Sequence, residues 1–233
     1  MYHMDYQVNG LCTAQLSMKT PFFMRRPTVE PTVISIMSTD THERARTENF
    51  IKRIYSRAYN ASIEVHYPIL LSVRDRQDNI LAALGFRYAM HENLFLEQYL
   101  QKPVEQILDV PRNEITEIGN LASVGGGASI FLFAAVTAYL NSINQNYAVI
   151  TGTRMIHHRL KMLGIRPRIL AQADPGLLVK SHEDWGTYYS TQPHVLTGRL
   201  DQAYKRLQFI LNAQYTETLS SLQANLHYRG DMS

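Results

Sequence analysis

Apolar residues fall at Phe50, Ile51, Ile54, Tyr55 and Ala58, a spacing that predicts a helix with one buried face. Asp40 followed by Glu43 supplies a capping-box-like start, with Asp in the place of the usual Ser or Thr. Ahead of that helix, the apolar stretch 33–37 predicts a first strand. Residues 1–31 are poorly patterned, carry Pro21, Pro27, Pro31 and the basic pair Arg25-Arg26, and read as an extension or arm. Two apolar runs, 69–73 and 80–86, flank a polar turn and predict an antiparallel hairpin. A helical stretch over 96–108 is kinked or divided by Pro103, and 114–123 reads as another strand.

Three consecutive glycines, Gly125, Gly126 and Gly127, then open into a run over 130–136 that is apolar on every side. A helix of that kind is buried on every side. A strand over 147–151 completes a strand–glycine loop–helix–strand unit. A short helix over 155–163 ends at Gly164, and 168–173 reads as a strand. Residues 174–198 are loop-rich and carry the one tryptophan, Trp185; 199–225 reads as an amphipathic closing helix. The order predicts a mixed α/β layer architecture, less regular than a doubly wound nucleotide fold. It divides into an extension (1–31), a main domain (32–200), and a C-terminal helix and tail (201–233) packed on that domain.

At 233 residues with 45% hydrophobic and 18% charged, the chain has the makings of a full core rather than of disorder. Folding at this length buries roughly 70–75% of the extended surface, so no disulfide or metal staple is needed. Cys12 stands alone, which excludes an intramolecular disulfide and a cysteine-cluster metal site. A net charge of +3 is too mild to argue for nucleic acid. The N-terminus has Asp5 where a secretory signal has basic residues. The longest apolar run, 128–140, falls short of the ~20 residues that a spanning helix needs. A reduced, cytoplasmic protein is therefore expected.

Glycines at the start of a buried helix leave main-chain N–H groups bare, and with the helix dipole they form an anion site suited to a pyrophosphate. The spacing is neither Gly-x-Gly-x-x-Gly nor a Walker A loop. The alternative is a flexible connection from strand to helix.

The string Leu94-Phe95-Leu96-Glu97-Gln98-Tyr99-Leu100, the string Glu117-Ile118-Gly119-Asn120-Leu121-Ala122-Ser123, and Trp185-Gly186-Thr187-Tyr188-Tyr189 resemble the thermostable haemolysin family over residues 44–200. That family is related to the GNAT acyltransferases and, within them, to acyl-homoserine-lactone (autoinducer) synthases; residues 125–129 sit where the GNAT pyrophosphate loop lies. The resemblance implies a GNAT-like, autoinducer-synthase-like fold, with helices on both faces of a mixed sheet splayed at its centre. The splay would admit an acyl-CoA or acyl-carrier-protein thioester, or S-adenosylmethionine, and no metal. In such enzymes an amine attacks an acyl thioester, a carboxylate or water takes the amine proton, and a strand N–H stabilises the oxyanion.

Two carboxylates are candidate catalytic groups. Glu117 lies in the strand before the glycine loop, where autoinducer synthases carry a Glu followed three residues later by Arg; Asn120 stands there instead. Its other reading is a cross-sheet ion pair with Arg87. Glu97 lies beside Phe95 and Leu96, where burial would raise its pKa toward base duty; its other reading is a helix-start carboxylate. Candidate cofactor-binding residues are Arg87, Asn120, Leu121, Ala122, Val124, Gly125, Gly126, Gly127, Ala128, Ser129, Thr151 and Trp185. Arg87 is either a bidentate clamp for an anion or a structural arginine, and Asn120 bonds either a ligand or a bulged backbone. Trp185, Tyr188 and Tyr189 either wall an acyl or adenine pocket or anchor their loop. His157-His158, among Arg154, Arg159 and Lys161, read as a solvated basic face, and His182-Glu183-Asp184 lacks metal-ligand spacing.

Three functions remain: an acyltransferase-like enzyme, a membrane-acting lytic protein, and a ligand-binding protein without turnover. The first implies a small-molecule or acyl-chain substrate, with an acyl-carrier protein as a candidate partner; a homodimer is a separate expectation. The second implies membrane contact without spanning. Lysis through an acylated, amphiphilic product suits this sequence better than a pore.

Overall fold

The computed structural model describes residues 1–20, 26–38, 41–179 and 183–218. Along the chain these form β1 (Tyr2–Val8), β2 (Leu11–Met18), β3 (Pro31–Met37), α1 (His42–Tyr59), β4 (Ile69–Asp75) and β5 (Ile80–Tyr88). A 3₁₀ turn (Phe95–Tyr99) and α2 (Val104–Leu108) lead to β6 (Ile115–Ser123), α3 (Ala128–Ser142) and β7 (Tyr147–Gly152). Then come α4 (Arg154–Met162), β8 (Arg168–Gln172), β9 (His194–Arg199), α5 (Leu200–Leu211) and β10 (Gln214–Glu217). Among the described residues the strands form one mixed sheet in the order β10-β2-β1-β3-β4-β5-β6-β7-β9-β8. The β1/β3 and β6/β7 pairs are parallel and the others antiparallel.

The mixed α/β class expected from the pattern is what forms. Side chains alternate across each strand. On β4, Leu71 and Val73 face the α3 core, while Leu70 joins Phe50, Ile51 and Tyr55 of α1 on the other face. α3 lies between the sheet and α5, whose Leu207 and Leu211 cover it. That sandwiching explains a helix that is apolar all round. Pro103 divides the 96–108 stretch as expected, with the 3₁₀ turn before it and α2 after it.

Four expectations are corrected. Residues 2–18 are not an arm but a hairpin in the sheet. Asn9 and Gly10 turn it with φ of 47° and 85°, the geometry of a tight two-residue hairpin. Met4, Tyr6, Ala14, Leu16 and Met18 are fully buried on its inner face, and the Tyr6 hydroxyl donates to the Ala135 carbonyl of α3 at 2.7 Å. The α1 N-cap is Thr41, whose side chain accepts from Arg44 N; Asp40 lies outside the described residues. The closing helix stops at Leu211, because Asn212 takes a left-handed conformation (φ 48°) and redirects the chain into β10 on the β2 edge. Residues 219–225 lie outside the described residues. Within the stretch read as loop, 194–199 is the paired strand β9.

One irregularity positions the site. β6 and β7 pair from Ile115↔Tyr147 to Ile118↔Ile150 and then part. Past that point β6 stays with β5 and β7 stays with β9. The β5/β6 register shifts between Ala83 and Gly85, and Asn120 takes φ 50°, a bulge that turns β6 away from β7.

Tyr6→Ala empties a fully buried aromatic site and should cost about 3–5 kcal/mol. Urea unfolding checks this; a cost near zero would return residues 2–18 to the status of an arm.

Candidate functional site

Where β6 and β7 part, the sheet opens into an apolar cavity of about 220 Å³. Its walls include Leu121 and Gly125 from the β6 side, Ile150 and Thr151 from β7, and Phe133, Val136 and Thr137 of α3. Met155, Ile156 and Leu160 of α4 close it below. A smaller chamber of about 50 Å³ shares Tyr55, Gly119, Thr151 and Tyr188 with the cavity. It is walled by Phe95, Tyr99, Trp185 and Tyr189, with Glu64, His66, Tyr67, Arg87, Asn120 and Glu183 as its polar residues. Among the described residues, Asn120 Nδ2, Thr151 Oγ1 and Trp185 Nε1 are buried there without a hydrogen-bond partner, and Arg87 Nε has only the Glu117 carboxylate, 3.5 Å away. Unsatisfied buried donors are costly, so their gathering in one chamber marks a place for a ligand's acceptors.

Glu117 lies directly opposite Arg87 across the β5/β6 pair and is 1% exposed. Its Oε2 accepts from Phe95 N at 2.8 Å and stands 3.5 Å from Arg87 Nε, and its Oε1 accepts from Leu96 N at 3.0 Å. The Tyr67 hydroxyl donates to the same carboxylate. Burial outweighs these partners and pushes its pKa up to about 7. The cross-sheet pairing with Arg87 forms, and the carboxyl that makes it is tuned near neutrality. Tyr67 reaches it because two strand positions lack side chains. A Cβ at Gly85 or Gly119 would fall on the Tyr67 ring or hydroxyl. The Arg87 guanidinium stacks over that ring at 4.6 Å and donates to Glu92 Oε2 at 2.9 Å and to the His66 carbonyl at 3.1 Å.

Glu97 differs. Its carboxylate takes both Nη atoms of Arg112, at 2.7 and 2.9 Å, together with Leu94 N at 2.8 Å and Val104 N at 3.1 Å. Burial alone would raise its pKa, but the Arg112 fork and the two main-chain donors carry it below the ordinary value. The expected upward shift is thus corrected. Glu97 closes the 3₁₀ turn whose N–H groups hold Glu117.

The glycine loop keeps positive φ at all three residues, 93°, 60° and 89°. Gly125 borders the apolar cavity with open space where a side chain would stand. Gly126 and Gly127 are less bare than expected: Thr28 and Pro27 pack against them, and Thr28 N donates to the Gly126 carbonyl at 2.9 Å. At the α3 start, Arg159 turns inward from α4, bordering the cavity and donating to Ser129 Oγ at 2.6 Å. An open glycine, a helix N-terminus and a guanidinium fit an anionic group such as a pyrophosphate.

Of the residues singled out, Leu121, Gly125 and Thr151 meet in the cavity, and Arg87, Asn120, Thr151 and Trp185 in the chamber. Gly127 and Ser129 line a separate hollow against Arg159. Ala122 packs under α1, Ala128 is core and Val124 faces solvent. Tyr188 is a buried anchor that also walls both spaces. Among the described residues no His, Cys, Asp and Glu side chains group to hold a metal, and His182 lies outside them. Sequence reasoning missed Tyr67, Tyr55, Glu64, His66 and the inward turn of Arg159. For Tyr67 the signal was glycine inside two strand patterns, which marks a close approach.

Because folded Glu117 holds its proton more tightly than the unfolded chain does, its contribution to stability is full below pH 4.5 and is lost as pH rises through about 7. Glu117→Gln should therefore shrink the fall in melting temperature between pH 5 and 8, read by calorimetry. An unchanged fall would show that burial leaves Glu117 untuned. Glu97→Gln should lower the melting temperature at neutral pH; Glu97's own contribution is present above the ordinary carboxylate range and lost on acidification.

The family model described as thermostable hemolysin matches residues 37–204. No curated protein matches the sequence. Among solved structures, the chain is similar to FeeM, an N-acyl amino acid synthase from uncultured soil microbes, at 14% identity over 76% of this chain and 94% of that one (TM-score 0.52). It is similar to TofI in a ternary complex with an inhibitor and MTA, at 10% identity over 75% and 96% (TM-score 0.54). It is also similar to the AHL synthase LasI, at 10% identity over 72% and 89% (TM-score 0.51). At such identities the likeness establishes the fold alone, which is GNAT-like and autoinducer-synthase-like; the splay at the centre is the parting of β6 from β7. From the last residue of β3 into α5, the matched span takes in the parted strands and everything that lines them, and the chain belongs to the thermostable hemolysin family.

Proposed function

We propose that the protein transfers an acyl group from a thioester to an amine. The observation that carries this reading is that the apolar cavity and the polar, donor-lined chamber share walls at the parted strands. The thioester, of coenzyme A or of an acyl-carrier protein, would set its acyl chain among Phe133, Val136, Ile150 and Leu160. The pyrophosphate of coenzyme A, or the single phosphodiester of a carrier protein's phosphopantetheine, would lie by Gly125, the α3 N-terminus and Arg159. The amine would enter the chamber.

In the reaction, the amine nitrogen bonds to the thioester carbonyl carbon, the carbon–sulfur bond breaks and the sulfur leaves as a thiolate that takes its proton from water, Glu117 later returning the amine's proton to water. The amine proton passes to the Tyr67 hydroxyl as Tyr67 gives its own proton to Glu117. Glu117 is suited to that role because its pKa stands near the working pH. The β6 edge beyond Ile118, free of β7, offers N–H groups to the oxyanion. Arg87 fixes Tyr67 and Glu117 from the neighbouring strand. The aromatic walls also suit the adenine ring or sulfonium of S-adenosylmethionine, which makes it the alternative occupant of the chamber. Haemolysis would then follow from an amphiphilic N-acyl product.

Purified protein with a long-chain acyl-CoA and a panel of amines, among them amino acids and homoserine lactone, should release free thiol only when an amine is present. Mass spectrometry should find the amide. Glu117→Gln should slow release about 10²–10⁴-fold, and the native rate should rise with pH through about 7. No thiol release with any donor, together with leakage of liposomes by the protein alone, would replace this reading with direct lysis.

A further inference from the structure

Between Glu117 and Asp174 the sequence has no Asp or Glu, yet it carries Arg154, Arg159, Lys161, Arg166 and Arg168. Arg159 turns inward to Ser129 and Arg168 reaches the Ile107 carbonyl, which leaves Lys161 and Arg166 as the members of that run at one shared surface. The fold sets Lys161 and Arg166 beside Arg206 of α5 around a shallow open depression. Two large apolar side chains stand out from the same patch: Met162 is 58% exposed and Phe209 is 81% exposed. The Arg206 guanidinium lies over the Phe209 ring, 5.3 Å from its centre. The neighbouring acid, Asp201, is taken up by Arg199 at 2.9 Å, so it does little to offset the patch. The patch and the apolar cavity draw on consecutive residues of the chain. Ile165 and Pro167 line the cavity, and Arg166 between them lines the depression.

The geometry points to this α4–α5 face as a peripheral docking surface for an anionic lipid bilayer. Cations over acidic headgroups, with an aromatic and a thioether side chain entering the interface, form the attraction. Phe209 projects from its helix instead of flooring a groove, which suits a fluid interface better than the helix of a partner protein. This inference stands apart from the transfer chemistry, and it needs no turnover to be tested.

The experiment is sedimentation of the full chain with phosphatidylcholine vesicles, without and with about 30% phosphatidylglycerol, at about 0.1 M salt. Binding to the anionic vesicles should exceed binding to the neutral ones by at least ~10-fold and weaken as salt rises. Arg166→Glu with Arg206→Glu, and separately Phe209→Ser, should each weaken it about tenfold or more, with melting temperatures unchanged. Equal binding to both vesicles, or variants that bind like the native chain, would overturn the inference. So would a dimer that Phe209→Ser dissolves, or binding to an acidic acyl-carrier protein without vesicle binding; each assigns the face to another occupant.

Discussion

Two parallel strands that begin as hydrogen-bonded neighbours and then separate must each find other partners for the polar backbone they expose. Here β6 keeps β5 and β7 keeps β9 beyond Ile118 and Ile150, so the cost of parting falls only on the two inner edges. Asn120 in the left-handed region makes the turn-away local. Gly85 and Gly119, paired across β5 and β6, let Tyr67 lie close over those two strands, and Arg87 stacks on its ring. Cavity and chamber follow from this one departure from regular pairing, and Glu117 sits just before it, in the last stretch where β6 still pairs with β7.

Two carboxylates close in space show how environment decides role. Glu97 has a bidentate guanidinium and two main-chain donors, which hold it ionised and below its ordinary pKa. Glu117 also has two main-chain donors, but its guanidinium stands 3.5 Å away and its burial is nearly complete. The balance therefore tips toward the neutral form. The first clamp supports the second: Glu97 and Arg112 hold the 3₁₀ turn that presents Phe95 N and Leu96 N to Glu117.

Elements whose apolar period is long were legible: α1, α3, the β4–β5 hairpin and the strand–glycine loop–helix unit. The N-terminal hairpin was not, because its buried set is Met4, Tyr6, Ala14, Leu16 and Met18, low in β-branched residues, and its Asn9-Gly10 turn was passed over. The end of α5 was hidden because an amphipathic period says nothing about where a single Asn turns left-handed. At the site, residues brought by the motif strands themselves were legible, namely Glu117, Arg87, Asn120 and Gly125. Tyr67, Glu64 and His66 come from a segment with no periodic pattern, and only the fold carries it across the sheet. The pKa of Glu97 was misjudged because Arg112, fifteen residues away, cannot be placed from an apolar neighbourhood.

The central claim is that the parted strands hold an acyl thioester. Its most direct test is calorimetric titration with an unreactive thioether analogue of a long-chain acyl-CoA, on the native protein and on Leu121→Trp, which fills the gap between β6 and β7. The account predicts saturable binding by the native chain that the folded variant loses. Equal affinity in both proteins, or no binding by the native chain, would contradict it.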